Sequence, residues 1–234
     1  MPCNLSVILP TYDERNHIVE LLRAISRVLA PTVPSFEVIV VDDNSPDGTA
    51  REAARADEGH VRVLVRQGDR GLAAAILHGI ENSAGHTLVI MDADFDHDPE
   101  DIPRLLAAVA TAEVAVGSRY VRGGAMNGPR WRYWSSSLMN LLVQLGTGSS
   151  IRDNTSGFLC FRRSLLRSLD CDKIFFGYGD YCIRFLDQCQ TQALSIVEVP
   201  VVYGTRRSGT SKTRFLKYSW QYLSAVRRIR TERR

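Results

Sequence analysis

Three carboxylates stand at alternate positions directly after an apolar run of the chain. Residues 87–91 have the composition of a buried strand, and Asp92, Asp94 and Asp96 follow where that strand should end. Carboxylate oxygens are preferred ligands of Mg²⁺ and Mn²⁺, and an incompletely caged ion commonly completes its shell with phosphate oxygens. The spacing therefore predicts an Mg²⁺ or Mn²⁺ site for a phosphate-bearing substrate. A solvated acidic loop before a helix at residues 99–101 is the other interpretation that the pattern allows.

A second polar pattern lies in the other half of the chain. Arg132, Ser136 and Asn140 recur at four-residue steps, beside an apolar helical pattern that runs from Leu138 to Leu145. Residues four apart share one face of a helix, so the three polar side chains would form a stripe. The stripe indicates a face turned toward a binding site, although a solvated face fits the spacing equally well.

The elements that must position these residues follow from hydrophobic periodicity. Five short β-branched runs, at residues 5–9, 37–41, 61–65, 87–91 and 114–117, alternate with segments whose apolar residues recur at helical spacing, such as 18–29 and 72–80. Such alternation is typical of an open α/β fold with a mostly parallel twisted sheet. The polar clusters come after the runs, at the carboxyl ends of the strands, where open α/β sheets bind ligands.

Composition limits the classes of protein that fit. The 234 residues, 44% of them hydrophobic, suffice for a large core, and a net charge of +3 is too small to indicate nucleic acid as a partner. There is no run of about 18 to 20 apolar residues, and the first residues lack the pattern of a signal peptide, so we expect neither a spanning helix nor export. The five cysteines are scattered without Cys-x-x-Cys pairs, which favours reduced thiols and a cytoplasmic location.

We expect one domain over residues 1–212, whose second half, from about residue 123, is less regular than the first. In residues 213–234 aromatic and aliphatic side chains, among them Trp220, Tyr222, Val226 and Ile229, interleave with lysine and arginine. This pattern predicts a basic amphipathic helix that lies in a membrane interface. A helix packed on the domain, or one that binds a membrane protein, is the alternative.

Seven short motifs in register resemble those of a known family. They are residues 10–15, 41–49, 71–72, 92–94 with His97 and 99–100, 117–120 with 123–124, 156–158 and 206–212. In this order they are similar to the motifs of the inverting glycosyltransferases of family 2, and within them of the dolichol-phosphate (polyprenyl-phosphate) mannose synthases. The resemblance runs from residue 5 to residue 212 and implies the Rossmann-like GT-A fold and metal-dependent transfer of a sugar. It also implies a nucleotide-binding half at about 1–122 and an acceptor-binding half at about 123–212.

On the donor side the resemblance assigns residues to a nucleotide sugar, which is GDP-mannose in the name-giving members. The base and ribose would contact Pro10, Tyr12, Glu14, Val41 and Asp43. Asp92 and Asp94, with Ala93 between them, would bind the divalent ion on the diphosphate. Asp96 stands where the relatives carry an amide, and we expect it to be a third metal ligand. Arg206 and Lys212 would reach the donor from a later loop.

On the acceptor side the resemblance assigns Arg119, Arg132 and Ser136 to the phosphate of a polyprenyl phosphate. Asp92, Asp94 and Arg119 are thus the expected catalytic residues. A lipid phosphate is ionised near neutral pH and can attack the anomeric carbon without a protein base, so positioning replaces proton transfer. We expect His97 to be structural. Asp153 is expected to orient the acceptor, to line the metal pocket or to cap a local element.

The identity of the sugar stays open at this stage. Residues 175–184 depart from the glutamate-bearing helix that the resemblance to mannose synthases implies. The alternative is a family 2 enzyme that uses a UDP-sugar, such as UDP-glucose or UDP-N-acetylglucosamine, with a polyprenyl phosphate, a saccharide or another small acceptor. If the protein is a polyprenyl-phosphate mannose synthase, we expect it to be peripheral on the cytoplasmic face of a membrane.

Overall fold

The computed structural model describes residues 4–56, 59–204 and 215–233. The strands are β1 (Leu5–Thr11), β2 (Phe36–Asp42), β3 (Val61–Val65), β4 (Thr87–Ile90), β5 (Val114–Ser118), β6 (Ala125–Met126), β7 (Leu159–Arg162), β8 (Ile196–Pro200) and β9 (Val202–Tyr203). The helices are α1 (Ile18–Leu29), α2 (Thr49–Arg55), α3 (Leu72–Asn82), α4 (Ile102–Ala108), α5 (Arg130–Thr147), α6 (Cys171–Ile174), α7 (Tyr181–Thr191) and α8 (Phe215–Glu232), with 3₁₀ turns at Pro99–Asp101 and Arg163–Ser168.

Seven strands form one sheet in the order β3-β2-β1-β4-β7-β5-β8, and β6 pairs with β9 in a second, two-stranded sheet. The five strands predicted from the β-branched runs are parallel to one another, and β7 is antiparallel to both of its neighbours. The predicted open α/β fold is therefore confirmed. Among the helices described, none combines the length and the apolar character needed to cross a membrane.

Alternation along the central strands builds two cores, one on each face of the sheet. Val7 and Leu9 of β1 face α1, whereas Ile8 faces α3. The helices cover these faces through residues at three- and four-residue spacing, as the sequence predicts. On α3 the contact is close: a Cβ on Gly79 would lie 2.6 Å from Cγ2 of Ile8 and 3.0 Å from Cγ2 of Val41, so glycine permits this helix to lie low on the sheet.

The loops after β1, β2 and β4 share an unusual backbone conformation at one edge of the sheet. Asp13, Asn44 and Phe95 have φ values of +55°, +54° and +64°. Non-glycine residues rarely adopt this left-handed region, least of all a bulky one, and such strain is concentrated at binding and catalytic sites. The strain marks the edge where the predicted site should lie.

The C-terminal helix α8 packs on the domain. A Cβ on Gly146 of α5 would lie 2.2 Å from Cγ1 of Val226, so the two helices cross closely. Val226 and Ile229 form a small core with α5 and α7, and Arg233 donates to the carbonyl of Thr147, with 2.6 Å between Nη1 and the oxygen. The expectation that Val226 and Ile229 face a membrane is thus wrong, because both side chains are buried between α8 and the helices α5 and α7.

Glu37 gives a testable link between this fold and pH. Its carboxylate accepts hydrogen bonds from Ser6 Oγ (2.6 Å), the Ala84 amide (2.6 Å) and Arg62 Nη1 (2.7 Å). Burial alone would raise the pKa of Glu37, but these three donors lower it below its ordinary value. A carboxyl group with a lowered folded-state pKa stabilises the protein above its unfolded-state pKa, and that contribution is lost as pH falls through the folded-state pKa.

We therefore expect Glu37→Gln to lower the free energy of unfolding by about 2 kcal/mol at pH 7. The deficit should shrink as pH falls below ~4.3, the ordinary pKa of glutamate, because the unfolded chain then takes up a proton more readily than the folded protein does. Urea unfolding at pH 7 and pH 3.5 measures both quantities, with Glu100→Gln at an exposed position as the control. An equal deficit at the two pH values would contradict the assignment.

Candidate active site

The acid loop, residues 92–97, leaves the carboxyl end of β4. Asp94 is only 9% exposed, and its Oδ1 accepts a hydrogen bond from the backbone N–H of Asp96 at 3.1 Å. Phe95 turns the chain between them with its left-handed backbone. The backbone N–H of Asp92 donates to His97 Nδ1 at 2.9 Å. Local hydrogen bonds thus hold the two ends of the loop together and keep Asp92 and Asp94 at the edge of the sheet.

The acid loop offers hard oxygen donors, which fit Mg²⁺ or Mn²⁺. Within the described ranges, no group of three or more histidine, cysteine, aspartate or glutamate side chains is arranged to hold a metal ion. The role of Asp96 as a third ligand therefore stays a prediction. Asp92 and Asp94 alone would leave most coordination positions open for water and diphosphate oxygens, as Mg²⁺ sites commonly do.

The predicted nucleotide side lies beside the acid loop, after β1 and β2. Asp43 is buried, pairs with Arg66 and accepts a hydrogen bond from the Gly71 amide at 2.9 Å. The guanidinium of Arg70 lies 4.2 Å from the centre of the Tyr12 ring, a cation–π contact. Tyr12 and Asp43 therefore reach the expected edge, and they are accompanied by two arginines that sequence reasoning did not select.

Other residues predicted for the nucleotide side lie deeper in the protein. Val41 is fully buried in the core beneath α3, and Pro10 is its neighbour across the β1–β2 ladder. Ala93 packs in the opposite core. Glu14 is buried, with its carboxylate 2.6 Å from His17 Nε2 and its amide donating to a threonine hydroxyl. The structure thus places these four side chains behind the edge, where they support the loops.

Arg119 follows β5 and is almost completely buried. Its Nε and Nη2 donate to the two carboxylate oxygens of Asp153, at 2.8 and 2.6 Å, and Nη2 also donates to Thr155 Oγ1 at 3.1 Å. Burial by itself would lower the pKa of Arg119, but the charge of Asp153 raises it well above its ordinary value. Asp153 therefore orients Arg119, a role that the sequence analysis did not predict for it.

The polar stripe of α5 joins the same network. Asn140 is buried and donates from Nδ2 both to Thr155 Oγ1 at 3.0 Å and to the carbonyl of Ser136 at 3.1 Å. Thr155 in turn accepts from Arg119. Arg132 is exposed at the start of the stripe. The structure thus links Arg119 to the α5 stripe through Thr155 and Asn140. Binding of an acceptor phosphate by Arg119, Arg132 and Ser136 stays a prediction.

His97 is buried behind the acid loop. Burial lowers the pKa of His97 to about 4, so the ring is neutral at physiological pH. Its Nε2 lies 2.7 Å from the hydroxyl of Tyr203, a residue that sequence reasoning missed, as it missed Thr155. A lone tyrosine in a short strand and a threonine in a loop carry no spacing signal that could reveal them. Arg206 and Lys212, predicted for the donor side, lie outside the described residues.

The apolar side of α5 faces away from the protein. Six large apolar side chains on this side have exposed fractions from 40% to 70%, and we call them the outer stripe of α5: Trp131, Trp134, Leu138, Leu141, Leu142 and Leu145. On α8, Trp220 and Leu223 are exposed as well. A water-soluble helix buries its apolar face, so a stripe of this size on the outside indicates a contact surface.

An open α/β fold with acidic residues and a buried arginine at the carboxyl edge of its sheet is typical of glycosyltransferases of the GT-A fold, which use nucleotide sugars. Residues 6–170 match the model of the family described as glycosyl transferase family 2. The chain belongs to this family and is a glycosyltransferase.

Two curated relatives are similar over most of this chain. A dolichol-phosphate mannosyltransferase from Pyrococcus furiosus is 34% identical over 96% of the chain, which spans 63% of that relative's length. A polyprenol monophosphomannose synthase from Mycolicibacterium smegmatis is 37% identical over 88% of the chain and 79% of its own length.

A solved structure supports the fold. Glucosyl-3-phosphoglycerate synthase from Mycobacterium tuberculosis, in complex with Mn²⁺, UDP and glucosyl-3-phosphoglycerate, superimposes with a TM-score of 0.72 at 21% identity, over 97% of this chain and 80% of that one.

Proposed function

We propose that the protein transfers mannose from GDP-mannose to a polyprenyl phosphate, with inversion at the anomeric carbon and with Mg²⁺ or Mn²⁺ as cofactor. The observation that carries the proposal is the similarity, at 34% and 37% identity, to two polyprenyl-phosphate mannosyltransferases. The arrangement of the site is compatible with it, because the acid loop and Arg119 emerge at the same edge of the sheet from strands that run in the same direction.

On the donor side, Asp92 and Asp94 would hold the divalent ion against the diphosphate. The ion, when bound, offsets the negative charge that develops on the leaving nucleoside diphosphate. Tyr12 and Asp43 would orient the nucleoside part beside it. Arg70 stacks on Tyr12 and Arg66 pairs with Asp43, so both residues are held in place before the donor arrives.

On the acceptor side, Arg119 presents a preset guanidinium. Its Nε and Nη2 are used by Asp153 and Thr155, whereas no hydrogen bond to the described residues uses Nη1. We assign Nη1 to a phosphate oxygen of the acceptor, with Arg132 and Ser136 on the adjoining stripe of α5. An ionised phosphate held in line with the anomeric carbon needs no protein base, because binding supplies the orientation.

A radiolabel assay tests the proposal. The protein is incubated with GDP-mannose, UDP-glucose or UDP-N-acetylglucosamine, and with a short polyprenyl phosphate, in the presence of Mn²⁺ or EDTA. We expect organic-extractable label from GDP-mannose only, and its loss in EDTA. Label from a UDP-sugar, or in a water-soluble product, would favour the alternative enzyme. Full turnover in excess EDTA would contradict the metal dependence.

We further propose that the outer stripe of α5 lies in the lipid bilayer interface, as part of a peripheral attachment to the cytoplasmic face of the membrane. Tryptophan and leucine side chains suit the headgroup boundary, and the exposed Arg130, Arg132, Arg227 and Arg230 on α5 and α8 suit anionic lipids. A lipid acceptor also has to reach Arg119 from a membrane, and the inner side of α5 contacts Arg119 through Thr155.

Replacing Leu138 and Leu145 by Asp should remove binding to vesicles. Two carboxylates in the stripe oppose both insertion and anionic lipid. Flotation with vesicles of phosphatidylcholine and phosphatidylglycerol measures binding, and Val197→Asp, at a partly exposed position on β8, is the control. Unchanged flotation of the double variant would show that the outer stripe does not bind the membrane. If the wild type bound a membrane protein and no vesicles, the outer stripe would be a protein-binding surface.

A further inference from the structure

A buried chain of hydrogen bonds runs behind the acid loop. His97 is 1% exposed, and its Nδ1 accepts from the backbone N–H of Asp92 at 2.9 Å. An accepting nitrogen carries no proton, so the proton of the neutral ring lies on Nε2, 2.7 Å from the hydroxyl oxygen of Tyr203. The ring also stacks on Phe158, with 4.7 Å between ring centres and 12° between planes. His97 is therefore fixed at both nitrogens and on one face.

Tyr203 carries this chain to the second half of the site. Its hydroxyl donates to the carbonyl of Ser156 and lies 2.9 Å from the Oγ of the same residue. Ser156 Oγ in turn donates to the carbonyl of Gly117 at the end of β5. Its ring lies against Arg119, whose Cζ is 4.4 Å from the ring centre. One tyrosine thus contacts the histidine behind the acid loop and the arginine of the acceptor side.

The backbone beside Tyr203 makes a further contact with the acid loop. The amide of Gly204 donates to the carbonyl of Asp96 at 2.9 Å, and a Cβ on Gly204 would lie 2.5 Å from the carbonyl oxygen of Phe95. Only glycine allows the strand end to approach so closely. The acid loop is therefore held from two directions, by His97 from within and by the end of β9 from outside.

We propose that His97 and Tyr203 are positioning residues that hold the metal-binding acid loop in register with Arg119. The inference rests on the proposed function in taking Asp92 and Asp94 as the metal ligands and Arg119 as the acceptor contact. Neither His97 nor Tyr203 touches the substrates. They set the separation between the two substrate-binding groups, which is the quantity an in-line displacement depends on.

Two conservative variants remove the same hydrogen bond from opposite ends. Tyr203→Phe keeps the ring against Arg119 and loses the hydroxyl. His97→Asn keeps an acceptor near the Nδ1 position for the Asp92 amide and loses Nε2. Residues that orient metal ligands typically change metal affinity 10- to 100-fold when altered, so we expect the Kd for Mn²⁺ to rise at least ~10-fold in each variant. Both variants remove the bond between His97 and Tyr203, and each also removes contacts of its own, at Ser156 for Tyr203→Phe and at Phe158 for His97→Asn. The loss of Mn²⁺ affinity in the double variant should therefore be smaller than the sum of the two single losses.

Mn²⁺ binding is measured by electron paramagnetic resonance in the presence of saturating GDP and, separately, UDP. The control is His60→Asn, because His60 also combines a hydroxyl partner, Ser26 Oγ at 2.7 Å, with an aromatic neighbour, far from the acid loop. Its Mn²⁺ affinity should equal that of the wild type. Thermal unfolding of each variant reports any loss of packing.

The inference would be overturned if both variants bound Mn²⁺ with a Kd within twofold of the wild type and showed only a lowered Tm. It would also be overturned if the losses of Mn²⁺ affinity in the two single variants were fully additive in the double variant. Failure of the wild type to bind Mn²⁺ with either nucleotide would overturn it as well. The readout contains no sugar or lipid. A wild type that binds Mn²⁺ and nucleotide but transfers no mannose would therefore refute the proposed function and leave this inference standing.

Discussion

Replacing Asp94 by Asn is expected to lower turnover by at least ~10²-fold, because the variant keeps the shape of the side chain and loses the charge that holds the divalent ion against the leaving diphosphate. The fold should survive, since an amide oxygen can still accept the hydrogen bond from the Asp96 amide. Initial rates with GDP-mannose and a polyprenyl phosphate measure the effect, and circular dichroism checks the fold.

The matched control for this experiment lies four residues further along. Asp98 is exposed, and its Oδ1 caps the following 3₁₀ turn by accepting from the Glu100 amide at 3.0 Å. Asp98→Asn removes the same charge from the same region and keeps the cap, because Asn is as good a capping residue as Asp. Its turnover should stay close to that of the wild type. Equal losses in the two variants would mean that the net charge of the region, and not metal binding at Asp94, sets the rate.

Asp153→Ala is expected to lower the free energy of unfolding by about 3 to 5 kcal/mol, the usual cost of leaving one member of a buried ion pair without its partner. Asp153 is fully buried, and Arg119 donates to it from Nε, Nη2 and the backbone amide. The substitution would leave the guanidinium charge of Arg119 buried without a counter-charge. Urea unfolding at pH 7 measures the loss.

An exposed pair provides the contrast. Lys173 and Asp170 are also in contact, with 3.1 Å between Nζ and Oδ2, but both side chains are largely in solvent. Lys173→Ala should leave the unfolding free energy almost unchanged, since water and salt screen such pairs. If Asp153→Ala cost as little as Lys173→Ala, Asp153 would not be the group that compensates the buried charge of Arg119.

Local patterns in the sequence predicted the parallel part of the fold. The β-branched runs and the helical spacing of α1 and α3 depend on near neighbours, and the structure reproduces both. The antiparallel strand β7 was not predicted, because its place between β4 and β5 depends on pairing with residues far away in the chain. The orientation of α5 was not fixed either, since spacing alone does not say which face of a helix points inward.

The sequence predicted which residue types gather at the site, but it did not predict the buried residues that hold them in place. Carboxylates after β4 and an arginine after β5 stand out as residue types at strand ends. Tyr203 and Thr155 do not, because their roles arise from hydrogen bonds across more than 30 positions of the chain. The resemblance assigned Glu14 and Val41 to the donor, and their side chains are buried behind the loops. A contact of either residue with the donor stays a prediction.

The late position of β7 in the chain has a consequence for the order of assembly. β1 to β4 can pair with one another as soon as residue 90 has been made, whereas β5 joins them only through β7, which ends at residue 162. Contacts between distant parts of a chain form slowly, because a long loop must close first. In a nascent chain that stops short of β7, the strands β1 to β4 can therefore pair, but Arg119 does not yet lie beside the acid loop.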